Sequence, residues 1–365
     1  MTTTPSPDAP PSTSMTDAEY GALRASAALW AGTSVLITDQ YGRVLVQHVD
    51  YRDTCLLPGG GLDQGESPAS GAARELGEEL GITAVLDRCL AVDWVSAATS
   101  GAPAVMRFPG EIIHVFDGGT WNDAMIDSIR LPPSEVTAID LVEPAQLPDM
   151  LSATDARRAM SAVRARINAA GAVLLENGRP IAPTVLDRAG VLQTARPANH
   201  YPWHHGPAPQ GLTIIQVLAW QFAPDGRVLV LIDPRTGTAV LPGGTPEQED
   251  HGDPLTTLRR ESAEEAAARF ESPLLLGHVT DPAQQQRAYL RYATRLTHVG
   301  PAHPDPATGH TYTRILTSPE QALELFDWGA PAAEQLAAAH RARERLGIPR
   351  AARQPATELR GSTTW

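Results

Sequence analysis

The sequence predicts an α/β (α+β) fold in which one domain occurs twice along 365 residues. Segments 32–60 and 216–244 both contain GRVLV followed by LPGG, and the first motif starts at Gly42 and again at Gly226, 184 residues later. Each segment has the pattern strand, glycine turn, strand, Pro-Gly-Gly turn, and each is followed by a helical pattern. A repeat this long indicates two copies of one domain and not a solenoid.

Helix signals follow the Pro-Gly-Gly turn in both copies. In the first copy Ser67 is the expected N-cap, Pro68 is the first helical residue and Gly81 follows the last turn, so a helix is predicted over about 68–80. In the second copy Asp253 and Pro254 begin the helix. No glycine ends that second helix near Arg269, so its C-terminus is expected to differ.

Further strands and helices complete each copy. Strands are predicted at Cys89–Ala97, Glu111–Phe116 and Val136–Leu141, and helices near 153–168 and 331–346. The predicted organisation is a disordered tail (1–15), a first domain (16–168), a connector (169–212), a second domain (213–346) and a loose tail (347–365).

The formal net charge of −13 argues against a large nucleic acid as partner, because such partners require clustered lysine and arginine. A small anionic ligand remains compatible when a divalent cation screens its charge. The two cysteines, Cys55 and Cys89, form no metal-binding spacing. The N-terminus has no secretory signal pattern, and no apolar run reaches the ~20 residues that span a bilayer. A cytoplasmic protein without membrane contact is expected, and a homodimer is left open.

Residues 60–82, GGLDQGESPASGAARELGEELGI, contain the strongest motif of the chain. This segment resembles the Nudix box, G-x5-E-x7-R-E-U-x-E-E-x-G-U, in which U is a bulky aliphatic residue. Every specified position is filled, by Gly60, Glu66, Arg74, Glu75, Leu76, Glu78, Glu79, Gly81 and Ile82.

The charge pattern of the helix points to the same chemistry without the family. Glu75, Glu78 and Glu79 are spaced i, i+3 and i+4, so they share one helical face. Three like charges there are unfavourable unless a cation neutralises them, and carboxylate oxygens suit Mg²⁺ or Mn²⁺. Arg74 is expected to pair with Glu66 or with a glutamate of its own helix.

The resemblance implies two Nudix folds, each a mixed β-sheet sandwiched between helices. It implies Mg²⁺-dependent hydrolysis of the diphosphate bond in a nucleoside diphosphate linked to another moiety: a sugar nucleotide, an ADP-ribose-like compound, a dinucleotide or a nucleoside triphosphate. By resemblance Glu75 and Glu79 are the principal metal ligands, Glu78 is a ligand or base, and the carbonyl of Gly60 joins them. A further catalytic glutamate is expected at Glu135, in the loop before a late strand.

The second copy contains a degenerate box over 244–268. Gly244, Arg260, Glu261, Glu264 and Glu265 keep the mutual spacing of the first copy, although the offset grows from 184 to 186 residues. No glutamate stands eight residues before Arg260, and no carboxylate stands at the position near Thr311 that matches Glu135. The second copy is therefore either a weaker active site or a structural and substrate-binding relative.

Several other features have ordinary interpretations. His200, His204 and His205 are expected to be surface histidines of the connector. Three loop arginines, Arg52, Arg107 and Arg235, are expected to be solvated, with contact to phosphate as the alternative. Two other functions remain open for the chain: a non-catalytic Nudix-fold sensor of a nucleotide metabolite, and an interaction module. Removal of phosphate from RNA ends fits poorly with the net charge of −13.

Overall fold

The computed structural model describes residues 29–98, 110–131, 136–194, 201–326 and 328–365, except for the side chain of Gln285. These residues form two mixed β-sheets with helices on their faces. The predicted N-terminal tail (1–15) lies outside the described residues. No helix in the described ranges is both long enough and apolar enough to cross a membrane.

The first sheet has seven strands in the order β5-β2-β1-β4-β3-β6-β7. The pairs β1–β4 and β3–β6 are parallel, and the other neighbouring strands are antiparallel. Its strands are β1 (Trp30–Asp39), β2 (Val44–Val49), β3 (Cys89–Val95), β4 (Glu111–Trp121), β5 (Val136–Val142), β6 (Val173–Glu176) and β7 (Arg179–Pro180).

The second sheet repeats this topology. Its strands are β8 (Trp203–His205), β9 (Thr213–Phe222), β10 (Val228–Ile232), β11 (Ala239–Val240), β12 (Gly243–Gly244), β13 (Ala268–Asp281), β14 (Gln284–Val299), β15 (Thr313–Thr317), β16 (Thr357–Glu358) and β17 (Thr363–Thr364). The order β15-β10-β9-β14-β13 reproduces β5-β2-β1-β4-β3, and β9–β14 is parallel as β1–β4 is. The predicted α/β (α+β) class with two mixed sheets is confirmed.

Helices cover both faces of each sheet. They are α1 (Pro68–Leu80), α2 (Asp123–Asp127), α3 (Leu147–Met150), α4 (Ala153–Ile167), α5 (Val185–Arg188), α6 (Pro254–Ala266), α7 (Pro319–Leu325) and α8 (Ala332–Arg345). Alternate residues of β1 point to opposite faces, so Val35 and Ile37 pack against Leu76 of α1, while Leu36 belongs to the core on the α4 side.

The ends of α1 and α6 follow the predicted capping residues. The Ser67 hydroxyl accepts a hydrogen bond from Ser70 N at 3.2 Å, and Gly81 ends α1 at φ 69°. Asp253 caps α6 by accepting hydrogen bonds from two backbone N–H groups. The expected difference at the end of α6 is found: Ala267 takes the left-handed conformation, at φ 53°, that Gly81 takes in the first copy.

The two halves share one hydrophobic core. A single cluster of buried side chains includes Leu36 and Val46 of the first half together with Trp220 and Phe222 of the second. Across this junction the Gln321 side chain of α7 donates a hydrogen bond to the carbonyl of Ile167 at 2.7 Å, where α4 ends. The repeat therefore forms two sheets that are packed against each other and not two separate bodies.

Two segments contain more structure than the sequence predicts. In the predicted connector (169–212), β6 and β7 extend the first sheet and β8 pairs with β13 of the second. The expectation of a loose tail over 347–365 is wrong, because β16 pairs with β15 and β17 pairs with β14. Strands of two residues have too little hydrophobic alternation to be recognised in a sequence.

Candidate active site on the first glutamate helix

The three glutamates of α1 differ in exposure although they share one face. The Glu79 residue is 8% exposed, whereas the side chain of Glu78 is 59% exposed and that of Glu75 is 14% exposed. This gradient follows from the tilt of the helix face, because Glu79 points toward the sheet beside Leu76 and Leu80 of the core. One carboxylate is thus buried next to the sheet, and one is open to solvent.

Glu79 is held in place by two donors from outside its helix. The backbone N–H of Gly59 donates to Glu79 Oε2 at 2.8 Å, and the Gln47 side chain on β2 donates to Oε1 at 2.5 Å. Gln47 is itself fully buried. Two hydrogen bonds from fixed donors stabilise the carboxylate and set its orientation.

The Pro-Gly-Gly turn brings backbone against Glu75. A Cβ on Gly60 would lie 2.5 Å from Glu75 Oε1, which is closer than any real contact, so glycine is required for this approach. The Gly60 carbonyl accepts a hydrogen bond from Thr33 N at 2.8 Å, which fixes the turn against β1. Glu75 and Glu79 therefore lie beside the same two-residue turn.

Arg74 connects the acidic groups. Its guanidinium donates to both carboxylate oxygens of Glu66, at 3.1 and 3.0 Å, to Glu75 Oε1 at 3.0 Å and to Glu78 Oε2 at 2.7 Å. These contacts hold the pKa of Glu66 below its ordinary value and raise that of Arg74. Burial raises the pKa of Glu75, and Arg74 opposes that effect.

The donor set suits a hard divalent cation in its chemistry. Glu75, Glu79 and the Gly60 carbonyl supply carboxylate and carbonyl oxygens, the ligands that Mg²⁺ and Mn²⁺ prefer. In the described part of the chain, no three acidic, histidine or cysteine side chains by themselves form a group that could hold a metal ion. Arg74 neutralises part of the charge on Glu75 and Glu78 in this arrangement, so a cation would exchange with some of those ion pairs.

The second copy builds the same frame on α6. A Cβ on Gly244 would lie 2.3 Å from the carboxyl carbon of Glu261, and Gly243 N donates to Glu265 Oε2 at 3.2 Å. Arg260 donates to Glu264 Oε2 at 3.0 Å. All of the residues of the predicted second site are thus placed together, in the relation that their counterparts have in the first copy.

Asp250 is the acidic residue that sequence reasoning missed. It is 1% exposed, and its carboxylate receives two hydrogen bonds from Arg260 at 3.1 and 2.9 Å, as Glu66 does from Arg74. The two inserted residues lie between Asp250 and Arg260, not before them, so Asp250 stands 184 residues after Glu66. The signal was therefore present in the offset of the repeat.

The buried glutamate of the second copy has a different environment. Leu231 stands where Gln47 stands in the first copy, so the side-chain donor to Glu265 is lost. Burial raises the pKa of Glu265 to about 8, opposed by the bond from Gly243 N and a hydrogen bond with Tyr312. Buried Asp305, in the loop before β15, also acts on Glu261 and Glu265. That loop supplies a carboxylate after all, six residues before Thr311.

The remaining candidates lie apart from both clusters or outside the described residues. Glu135, Arg107 and His200 belong to the undescribed part of the chain. His204 and His205 lie on β8, where His204 stacks on His278 with 4.9 Å between ring centroids. Two loop arginines pair with nearby aspartates: Arg52 with Asp155 at 3.6 Å, and Arg235 with Asp233 at 3.0 Å.

The chain was compared with protein families, curated proteins and solved structures. Residues 29–163 match the NUDIX domain model. No curated protein matches the chain. Solved structures that resemble it include a MutT protein from Methanosarcina mazei Go1, with 24% identity over 34% of this chain and 86% of that one and a TM-score of 0.28. An ADP-ribose pyrophosphatase from Streptococcus suis 89-1591 shares 17% identity over 40% of this chain and 98% of that one, with a TM-score of 0.29.

Proposed function

Residues 29–163 are a Nudix domain, the chain is a pyrophosphohydrolase of the Nudix type, and we propose that it cleaves the diphosphate bond of a nucleoside diphosphate linked to another moiety. The observation that supports this reaction is the position of Glu75 and Glu79 beside the Gly59–Gly60 turn. The other moiety is a sugar, a second nucleotide, an ADP-ribose-like group or phosphate.

A divalent cation, Mg²⁺ or Mn²⁺, is part of this proposal. Glu75, Glu79 and the Gly60 carbonyl would hold it, with Glu78 as an additional ligand. When bound, such an ion neutralises charge on the phosphate oxygens and favours attack by water.

The residues of the chain have separable tasks in the reaction. Gln47 and the Gly59 N–H orient Glu79, so its carboxylate does not have to reorganise when substrate binds. Glu78 is the most exposed of the three glutamates and is the group placed to orient or deprotonate a water molecule. Arg74 keeps the acidic face in register through its contacts with Glu66, Glu75 and Glu78.

We further propose that the first copy is the dominant catalyst. Its acidic face matches the whole box and contains the Gln47 donor, whereas the second copy has Leu231 at that position. In this proposal the first unit is the predicted domain 16–168 together with β6 and β7. The second unit is the predicted domain 213–346 together with β8, β16 and β17.

The experiment is a hydrolysis assay with ADP-ribose, NADH, dinucleoside polyphosphates, sugar nucleotides and nucleoside triphosphates, with Mg²⁺ and with chelator. Wild type is measured beside Glu79→Gln and the matched variant Glu265→Gln. We expect metal-dependent turnover that Glu79→Gln abolishes and Glu265→Gln leaves largely intact. Loss in Glu265→Gln alone would move catalysis to the second copy. No turnover by wild type would favour the metabolite-sensing alternative.

A further inference from the structure

Glu111 is a carboxylate beside the first active site that the Nudix box does not contain. It is the first residue of β4 and pairs with Trp30 at the start of β1. Its side chain passes over Gly32: a Cβ on Gly32 would lie 2.8 Å from Glu111 Oε1 and 3.5 Å from the Gly60 carbonyl oxygen. The carboxylate and the Gly60 carbonyl thus border the same small space.

The carboxylate of Glu111 makes no hydrogen bond or ion pair within the described ranges. Its closest charged neighbours are engaged with one another, since Arg158 donates to Asp93 at 2.8 Å and to Asp155 at 2.5 Å. Burial raises the pKa of Glu111, and Arg158 only partly opposes this. A half-buried acceptor without a partner is unfavourable, and a ligand that donates hydrogen bonds would remove the penalty.

The fold itself does not require this acceptor. In the second copy Gln216 stands 184 residues after Gly32, so a side chain occupies the place over which Glu111 passes. Two residues before Tyr289, the strand partner of Gln216, stands the exposed Arg287. The counterpart of Glu111 therefore has the opposite charge, and the acceptor belongs to the first copy alone.

We propose that Glu111 accepts hydrogen bonds from the nucleoside end of the substrate and determines which nucleotides the first site accepts. This inference rests on the proposed function. Phosphates carry negative charge and belong at the cation, whereas a carboxylate repels them and selects neutral N–H or O–H donors. Glu111 lies across the Gly60 carbonyl from the acidic face of α1, so one extended substrate can reach both.

Two parts of a nucleoside present such donors: the N–H edge of the base and the paired hydroxyls of the ribose. Both offer hydrogen bonds to a carboxylate, and the test separates them with two series of substrates. One series varies the base at constant sugar, for example GDP-mannose against ADP- and UDP-linked sugars. The other removes the ribose 2′-hydroxyl at constant base, for example GTP against dGTP.

The test compares kcat/KM across both series for wild type, Glu111→Gln and Gly32→Ala. Gly32→Ala places a Cβ against the Glu111 carboxylate and displaces it by an independent route. We expect kcat/KM for the preferred nucleotide to fall roughly 10- to 100-fold, with a much smaller loss for nucleotides that lack the recognised donor. Glu176→Gln, at an exposed position of β6 in the same sheet, is the control and should change nothing.

A binding measurement separates this inference from the proposed function. Titration calorimetry with the same nucleotides is performed in the Glu79→Gln background, where turnover is not required. Weaker binding of the preferred nucleotide alone after Glu111→Gln supports the inference. An equal loss for all nucleotides, an unchanged ranking in both assays, or no nucleotide binding at all overturns it. Metal-dependent turnover with an unchanged ranking would leave the proposed function standing without it.

Discussion

Gln47 and Leu231 occupy equivalent positions of the repeat and give the two buried glutamates different surroundings. Gln47 donates to Glu79 from a strand, and its donor group cannot move away, because the residue is fully buried. Leu231 offers no donor, and Glu265 remains next to other acidic groups. At the scale of single residues, one polar side chain thus distinguishes a carboxylate prepared for a cation from one that burial keeps partly protonated.

Replacing Gln47 with leucine should convert the first site toward the second. We expect Gln47→Leu to lower kcat/KM roughly 10- to 100-fold, because Glu79 loses an orienting hydrogen bond to a charged group. The assay is metal-dependent nucleotide hydrolysis, with the thermal midpoint measured to show that the protein remains folded. Leu231→Gln is the matched control and should leave activity unchanged. Wild-type activity in Gln47→Leu would contradict the role of this donor.

The ion pair between Asp250 and Arg260 should make stability depend on pH. Arg260 holds the pKa of Asp250 far below its ordinary value. A depressed folded-state pKa contributes stability that is fully present above the unfolded value of about 3.9 and is lost as the pH falls toward the folded value. Asp250→Asn should therefore lower the thermal midpoint at pH 7, and the difference from wild type should shrink below about pH 4. A constant difference between pH 7 and pH 3 would exclude this linkage.

At the scale of elements, the C-terminus of α6 carries a local strain that α1 avoids. Ala267 adopts φ 53°, a conformation that glycine tolerates much better than a residue with a Cβ. Its Cβ also lies near Gly300, since a Cβ added to that glycine would be 3.3 Å away. The helix nevertheless ends here because β13 begins at the next residue.

Ala267→Gly should raise the free energy of unfolding by about 1 kcal/mol, because it removes this strain. The reciprocal change, Gly81→Ala, should lower it, since the new Cβ would lie 2.9 Å from the Arg130 carbonyl oxygen at φ 69°. Chemical denaturation of both variants measures the two effects. An Ala267→Gly protein less stable than wild type would show that the methyl group contributes more through packing than it costs in strain.

The sequence predicted the elements whose signals are local and missed those that depend on tertiary pairing. The caps at Ser67 and Gly81 were readable because capping uses residues next to the helix. Asp250 was missed because the inserted residues were assigned to the wrong side of it, and only the ion pair with Arg260 reveals its role. Glu111 carries no motif at all; its position beside Gly60 follows from the parallel pairing of β1 with β4.

At the scale of the whole molecule, the two copies behave as one packing unit. The shared core continues from the first sheet through α4 to α7 and the second sheet. Near it the Asn168 side chain accepts a hydrogen bond from Ala356 N at 2.8 Å, so the C-terminal segment is tied to the first copy. Separate domains that touch through small polar interfaces would unfold independently, whereas a common apolar core couples their unfolding.

The described halves should therefore unfold in a single calorimetric transition. Asn168→Ala should lower the midpoint of that one transition by a few degrees, because Ala356 N–H loses its acceptor at the 3%-exposed Asn168. Asn122→Ala, which removes the cap of the short exposed helix α2, is the control and should have a smaller effect. Two resolved transitions, only one of which moves in Asn168→Ala, would mean that the copies fold independently. In that case the second copy could not support the first site through the core that they share.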